Sequence, residues 1–164
     1  MRLFGAVCFA ALLLASAGCA PHRQVIATKE GTATVETNQS NDTTTITSKE
    51  GSASFGKNAV DVSKIGLPIY PGATANDTGG MSFQSKEGSS QIVVMTTADS
   101  FDKVYAWYKG QMPSGSEQMH MSSGNSSVAS FVIGKQGDKN AKTVTITADK
   151  DKTSIMLAAG SKSQ

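Results

Sequence analysis

Residues 91–109, with the sequence QIVVMTTADSFDKVYAWYK, pass from a strand pattern to a helix pattern and indicate the fold class. Residues 91–95 form a short apolar run that is typical of a buried strand. Asp99 or Ser100 can cap the helix that follows, and Met112-Pro113 ends it. The helix has one apolar stripe, which we expect to pack against a sheet. The stripe consists of Phe101, Val104, Tyr105 and Tyr108, with Trp107 beside it.

Strand patterns lie on both sides of this helix. Before it, Met81-Ser82-Phe83 and the run 91–95 flank a turn, which predicts a hairpin. After it, four short strands are predicted, at 118–121, 128–133, 143–147 and 154–157. This order predicts an α+β fold, with one amphipathic helix packed on an antiparallel sheet.

The chain divides near residue 63. Residues 64–164 are predicted to form the α+β domain, and residues 19–63 a tether followed by a polar Thr/Ser-rich β-meander. Phe55 is the only Phe, Tyr or Trp in this first segment, so it can bury little apolar surface by itself. A partly disordered spacer is the alternative for its first twenty residues.

A short motif occurs three times and predicts three hairpin tips. It is TKEGT at 28–32, and SKEGS at 48–52 and at 85–89. In each copy Gly follows two polar residues between β-compatible runs, which suits a hairpin turn whose last position has positive φ. Similar turn chemistry in a β-meander explains the copies. The alternative is a binding ladder built from repeats.

The charge balance argues against one class of partner. The chain has 15 Lys and Arg against 13 Asp and Glu, and these charges are scattered singly along it. Nucleic-acid grooves and polybasic membrane patches need clustered positive charge. We therefore expect no nucleic-acid partner.

Residues 1–18 have the three parts of a bacterial export signal. Arg2 precedes an apolar run from Leu3 to Leu14, which is shorter than the roughly twenty residues of a transmembrane helix. Two cleavage sites compete after it. Cleavage before Cys19 would make that cysteine the first residue of the mature chain. Cleavage after Ala17, at an A-x-A site, would release a soluble secreted domain.

The stretch Ser16-Ala17-Gly18-Cys19 resembles the lipobox of bacterial prolipoproteins, with Ser16 in place of the commoner leucine. This resemblance implies that Cys19 is acylated and anchors the chain to a membrane. Ala20, next to it, implies sorting to the periplasmic face of the outer membrane. Cysteine usage favours acylation too. The other cysteine, Cys8, lies in the leader, so Cys19 would otherwise be an unpaired thiol in an oxidising compartment.

The globular part carries a second resemblance. LPIYPGA at 67–73, DSF at 99–101 and YAWYK at 105–109 together resemble small uncharacterised exported proteins of bacteria. That resemblance implies an envelope domain and brings no activity with it.

Side chains suited to catalysis are scarce. His120 is the one histidine of the predicted domain, and helix capping explains Asp99 with Asp102. We therefore expect neither an enzyme nor a cofactor. Met119-His120-Met121 offers thioether and imidazole ligands that suit Cu(I). Neighbours on a strand point to opposite faces, however, so the two methionines are more simply explained as core.

These patterns predict a lipid-anchored cell-envelope protein that acts as a structural or interaction module. The alternatives are a copper-handling or small-ligand-binding lipoprotein and a soluble secreted domain. An interaction module is expected to expose a contiguous apolar patch or an open sheet edge.

Overall fold

The computed structural model describes residues 22–28, 31–123, 126–135, 137–149 and 151–162. They form ten strands, one α-helix and two short 3-10 helices. The leader and Cys19 lie outside the described residues. The strands are β1 (His22–Thr28), β2 (Gly31–Asn38), β3 (Thr43–Ser48), β4 (Gly51–Gly56), β5 (Thr74–Ser85), β6 (Gly88–Thr97), β7 (Glu117–Ser123), β8 (Ser126–Ile133), β9 (Lys142–Asp149) and β10 (Lys152–Lys162). The helix, α1, spans Phe101–Gln111.

All ten strands belong to one antiparallel sheet. Their order is β1-β2-β3-β4-β5-β6-β10-β9-β8-β7. Strands β1 to β6 follow one another as a meander, and β7 to β10 form a second meander that returns to pair β10 with β6. Helix α1 connects β6 to β7, so it carries the chain across the face of the three strands that lie between them.

The three repeated motifs lie at hairpin ends, as predicted. In each of them the residue before Lys-Glu pairs with the glycine after it: Thr28 with Gly31, Ser48 with Gly51, and Ser85 with Gly88. Lys29 and Glu30 of the first copy lie outside the described residues. The φ angles of these glycines are 137°, 151° and 147°, a region that L side chains rarely adopt. The motif therefore recurs because the turn geometry needs glycine at its last position.

The first strands are ordered into the sheet. Residues 22–28 and 31–37 pair with each other along their length, so the spacer alternative is wrong for them. Strand β4 pairs directly with β5, so the sheet continues past residue 63, where the sequence suggested a division. None of the described side chains in β1 to β4 is buried, however.

The hydrophobic core lies on one side of the sheet, beneath α1 and the β4–β5 connection at residues 57–73. We call this side the helix face. The predicted stripe supplies Phe101, Val104 and Tyr108, all buried, and the helix ends at Gln111, just before Met112-Pro113, as expected. The other core residues are Val60, Ile65, Leu67, Tyr70, Val93, Met95, Met112, Ala129, Phe131, Val144, Ile146, Ile155 and Leu157. The fold is broadly α+β, as predicted, but the sheet dominates it.

The two tip glycines at residues 31 and 51 offer a test of this architecture. A Cβ at Gly51 would overlap the backbone carbonyl of Gln84 on β5, whereas the nearest described atom to a Cβ at Gly31 is in the Lys49 side chain, at 3.8 Å. Both positions have positive φ, so alanine strains both turns. We expect Gly51→Ala to lower the free energy of unfolding by about 1–3 kcal/mol more than Gly31→Ala, because β4 and β5 must separate. Urea denaturation of both variants measures the difference, and equal losses would contradict the tight β4–β5 approach.

Candidate functional site

The side of the sheet away from α1, which we call the open face, carries most of the exposed apolar side chains. Neighbouring residues of a strand point to opposite sides of a sheet, so the register assigns each residue to a face. Nine large hydrophobic side chains are exposed among the described residues, and seven of them point to the open face. These seven are Ile26, Ile46, Met81, Phe83, Met119, Met121 and Met156.

Two rows of paired residues show how the open face is continuous. The first row crosses six strands through Val35, Ile46, Ala53, Phe83, Ser90 and Gly160. The second crosses five strands through Met119, Ser130, Thr145, Met156 and Val94. The two rows meet on β6 and β10, so apolar and small hydroxyl side chains cover one surface from β2 to β7.

The open face lacks charge in its interior. Among the described paired residues from β2 to β10, the charged residues assigned to this face are Lys152, its partner Asp149, and Lys162, all at strand ends. The Arg23–Glu36 ion pair of β1 and β2, at 3.3 Å, lies on the helix face. The strands therefore offer dispersion and hydrophobic contacts but no ion pairing in the interior of the open face, and charged residues of the turns border it: Glu50, Glu87, Asp138 and Lys139.

A groove of about 660 Å³ runs over the tip-side half of the open face. Its floor is apolar and consists of Ile46, Ala53, Phe83, Ile92 and Ala158. The β8–β9 connection forms a wall, since a Cβ at Gly160 would overlap the backbone oxygen of Lys139. This volume is within the roughly 300–1,000 Å³ of typical ligand clefts, so the groove can take an apolar segment or side chains of a partner.

Hydrogen bonds hold the wall of the groove in place. The backbone N–H of Gly160 donates to the carbonyl of Ala141 at 3.2 Å, and that of Lys162 donates to Oδ1 of Asn140 at 2.9 Å. Lys139 Nζ donates to Glu87 Oε2 at 2.7 Å and lowers the pKa of that carboxyl. The ion pair is exposed, so it contributes little stability, but it links the wall to the β5–β6 tip.

The methionines of β7 correct one prediction. Met119 and Met121 were expected in the core, yet their side chains are 39% and 58% exposed on the open face. The reason is that β7 is an edge strand with little packed over it: α1 lies on the other side of the sheet, and all residues of β7 after Glu117 are exposed. His120 points to that other face, where its ring stacks on Tyr105 with centroids 4.0 Å apart. The structure therefore does not bring the thioethers and the imidazole of this motif together around one metal ion.

The aromatic stripe of α1 packs rather than lining a cleft. Tyr105 stacks on Phe131 and His120, and its hydroxyl donates to Glu117 Oε1 at 2.9 Å, which lowers the pKa of Glu117. Burial raises the pKa of Tyr108 to about 12, and its hydroxyl donates to the carbonyl of Pro68. These contacts fix the helix against the sheet and the β4–β5 connection.

Asp99 has a different role from the predicted helix cap. Ser100 occupies the cap position without a side-chain hydrogen bond. The Asp99 carboxylate instead accepts hydrogen bonds from Lys103 Nζ at 2.8 Å and from the Tyr70 hydroxyl at 2.7 Å, and both lower its pKa. Its backbone carbonyl accepts from the Thr153 hydroxyl at 2.6 Å. Asp99 thus joins α1 to the β4–β5 connection and to β10.

The open-face residues of β3 and β5 were not recognised from the sequence as a surface of interest. Ile46 lies between two threonines in TTTITS, and in MSFQS the apolar Met81 and Phe83 alternate with the polar Ser82 and Gln84. An apolar residue between polar neighbours is compatible with a strand that has one apolar side. It would identify the surface only once the position of α1 was known, because nothing local tells which side is covered.

The described ranges also bear on metal binding and on membrane crossing. They contain no cluster of three or more His, Cys, Asp or Glu side chains placed to hold a metal ion. No helix within them is long and apolar enough to cross a membrane. Strands β1 and β7 are the two edges of the sheet as described. Comparison of the chain with protein-family models, curated proteins and solved structures finds no significant match.

The hydrogen bonds of Asp99 predict a pH dependence. Because the folded protein holds the pKa of Asp99 below its ordinary value of 3.8, its contribution to stability is complete above that pH and is lost as the pH falls below it. Asp99→Asn removes this contribution. We therefore expect the stability difference between wild type and variant to be largest near neutral pH and to narrow toward pH 2, in urea denaturation at each pH.

Asp102→Asn is the matched control, because Asp102 lies in the first turn of the same helix. An equal narrowing in that variant would contradict the role assigned to Asp99.

Proposed function

We propose that this protein is a lipid-anchored component of the bacterial cell envelope that binds a protein partner through its open face. The observation that supports this most is the concentration of seven of nine exposed large hydrophobic side chains on one face. Contiguous apolar patches larger than a few hundred Å² are rare on monomeric soluble proteins and mark interaction sites. An apolar surface of this extent is the patch expected of an interaction module.

The charge distribution supports a protein partner over a nucleic acid or a charged small molecule. The interior of the open face has no ion-pairing group, and Lys152 and Lys162 lie at strand ends. Depletion of charged residues and enrichment of Met and aromatic residues are typical of the centre of protein interfaces. We propose no catalysis and no bound cofactor for this face.

The anchor in this proposal is a lipid on Cys19. The leader and the stretch Ser16-Ala17-Gly18-Cys19 support it, as does the absence of another cysteine after residue 19. Two or three acyl chains on one residue anchor a protein stably, whereas one chain alone binds a membrane only weakly. With Ala20 after the cysteine, we propose the periplasmic face of the outer membrane as the location.

Two measurements test the acylation of Cys19: the cleavage of the leader and the intact mass of the mature protein. We expect globomycin to leave the leader uncleaved, and the intact mass of the untreated protein to equal residues 19–164 plus acyl chains. Cys19→Ala should leave the membrane fraction or stay uncleaved. An intact mass that matches an unmodified chain beginning at Gly18 or Cys19 would contradict the anchor.

Partner binding through the open face is tested by substituting two adjacent residues of β5 whose side chains point to opposite sides of the sheet. Phe83 is 40% exposed on the open face, and Gln84 is exposed on the helix face. We expect Phe83→Glu to abolish recovery of a crosslinked partner from intact cells, because a buried carboxylate at the centre of an interface is costly. Gln84→Glu adds the same charge and should leave recovery unchanged.

Both variants must retain the fold, since Phe83 also packs edge to face on Phe55 at 5.8 Å between ring centroids. Circular dichroism and thermal denaturation check this. Equal recovery with both variants would show that the partner binds elsewhere.

A further inference from the structure

We propose that the open face is covered by a second copy of this chain, so that two sheets pack face to face in a symmetric dimer. The inference deepens the proposed function and rests on it, since it names the partner of the same face. In a two-fold dimer the same surface meets itself, and each contact occurs twice. Four properties of the open face support a second copy as its occupant.

The first property is area. Ten strands about 4.8 Å apart, of about eight residues on average at about 3.3 Å per residue, make a face of roughly 1,300 Å². A standard stable interface buries about 800 Å² on each partner. Two open faces that overlap over roughly three fifths of their extent would reach that size.

The second property is composition. A surface that meets itself must avoid placing like charges opposite each other. The strands carry no charged residue in the interior of the open face, and the charged residues that line the groove belong to the turns at its edge and have both signs: Glu50, Glu87, Asp138 and Lys139. A membrane-binding surface would instead carry basic and interfacial aromatic side chains around an apolar centre. The chain's single tryptophan, Trp107, packs against Tyr70 and Tyr108 on the helix side, away from the open face.

The third property is complementarity within the face. The groove over β3 to β6 and β10 is concave, and its apolar floor includes Ile46 and Phe83. Three exposed methionines lie on the same face outside the lining of the groove. Met156 is on β10, and Met119 and Met121 are on the edge strand β7. Methionine is unbranched and flexible, so it fills irregular apolar gaps. In a symmetric pair each copy supplies both a groove and flexible side chains that can fill the partner's groove.

The fourth property is the missing second layer. Stable folds pack two or more layers around an apolar core, and a sheet buries its apolar face against another element. The described part of β1 to β4 has no buried side chain on either face. A second sheet about 10 Å above the open face would give these strands the layer that α1 does not reach.

The test uses thiol crosslinking in intact cells with the full-length chain in a Cys8→Ser and Cys19→Ser background, so that the introduced thiol is the only one in the chain. Met81→Cys and Ile46→Cys place a thiol on the open face, at 38% and 39% exposed positions. Gln84→Cys and Thr47→Cys are matched controls, which are exposed on the same strands but point to the helix face. A bis-maleimide with a reach of roughly 10 Å matches the spacing of packed sheets.

We expect a crosslinked band at twice the monomer mass with at least one open-face thiol and loss of that band with both controls. Adding Phe83→Glu to the crosslinking variant should abolish the band. Co-expression of two differently tagged copies confirms that the band contains two chains.

Three other outcomes would overturn the second copy as the occupant. Open-face thiols that react fully with a monomaleimide and never crosslink would show a bare face. Open-face thiols that are protected from the reagent without forming the band would show that another molecule covers the face. Crosslinked bands of equal intensity from the open-face and control thiols would show that two chains collide without forming a defined interface.

The anchor is tested separately in the same cells by the chain with its natural Cys19. A disulfide-linked dimer of that chain would reveal a free Cys19 thiol. It would contradict the lipid anchor and leave the second-copy result from the Cys19→Ser background unaffected.

Discussion

The single short helix of this fold is too small to cover its wide sheet. An 11-residue helix is about 16 Å long and 10–12 Å in diameter, whereas ten strands spaced about 4.8 Å apart make a sheet nearly 50 Å wide. Helix α1 and the β4–β5 connection therefore bury one face of the second half of the sheet. The other face, and both faces of the first strands, are left to solvent or to a partner.

Packing on the covered side is correspondingly dense in specific contacts. Asp99, Tyr70 and Tyr108 connect α1 to the β4–β5 connection, and Thr153 connects the start of the helix to β10. These contacts all lie at the helix or beneath it, so they stabilise the covered side of the sheet. The outer strands depend more on backbone pairing and on small contacts such as the hydroxyl pair of Thr45 and Ser54, at 3.0 Å.

Local signals in the sequence predicted the local structure well. The helix limits, the three hairpin tips and the four late strands follow from caps, glycine positions and alternation, which act over a few residues. The insertion of β10 between β6 and β9 could not be predicted, because it depends on pairing between distant segments. Asp99 shows the same limit. The local sequence made its carboxylate a candidate for capping the helix, but the carboxylate accepts a hydrogen bond from the Tyr70 hydroxyl, 29 residues away.

The wrong prediction that Met119 and Met121 lie in the core has a similar physical cause. Alternation in β7 shows that Met119 and Met121 share one side and that His120 lies on the other, and the structure agrees. Alternation does not show which side is covered. That depends on the path of α1 across the sheet, which places the Tyr105 ring over His120 and leaves the thioethers uncovered.

Strand β1 begins at His22, only three residues after Cys19. Three residues extend to about 11 Å at most, so a lipid on Cys19 would leave almost no slack before the sheet starts. From there β1 runs seven residues, about 23 Å, toward the end of the sheet that carries the hairpin tips, the β8–β9 connection and the Lys139–Glu87 pair. The distance between the anchoring residue and the groove is then set by the length of the paired strands, so a lipid on Cys19 would hold the groove about one strand length from the membrane.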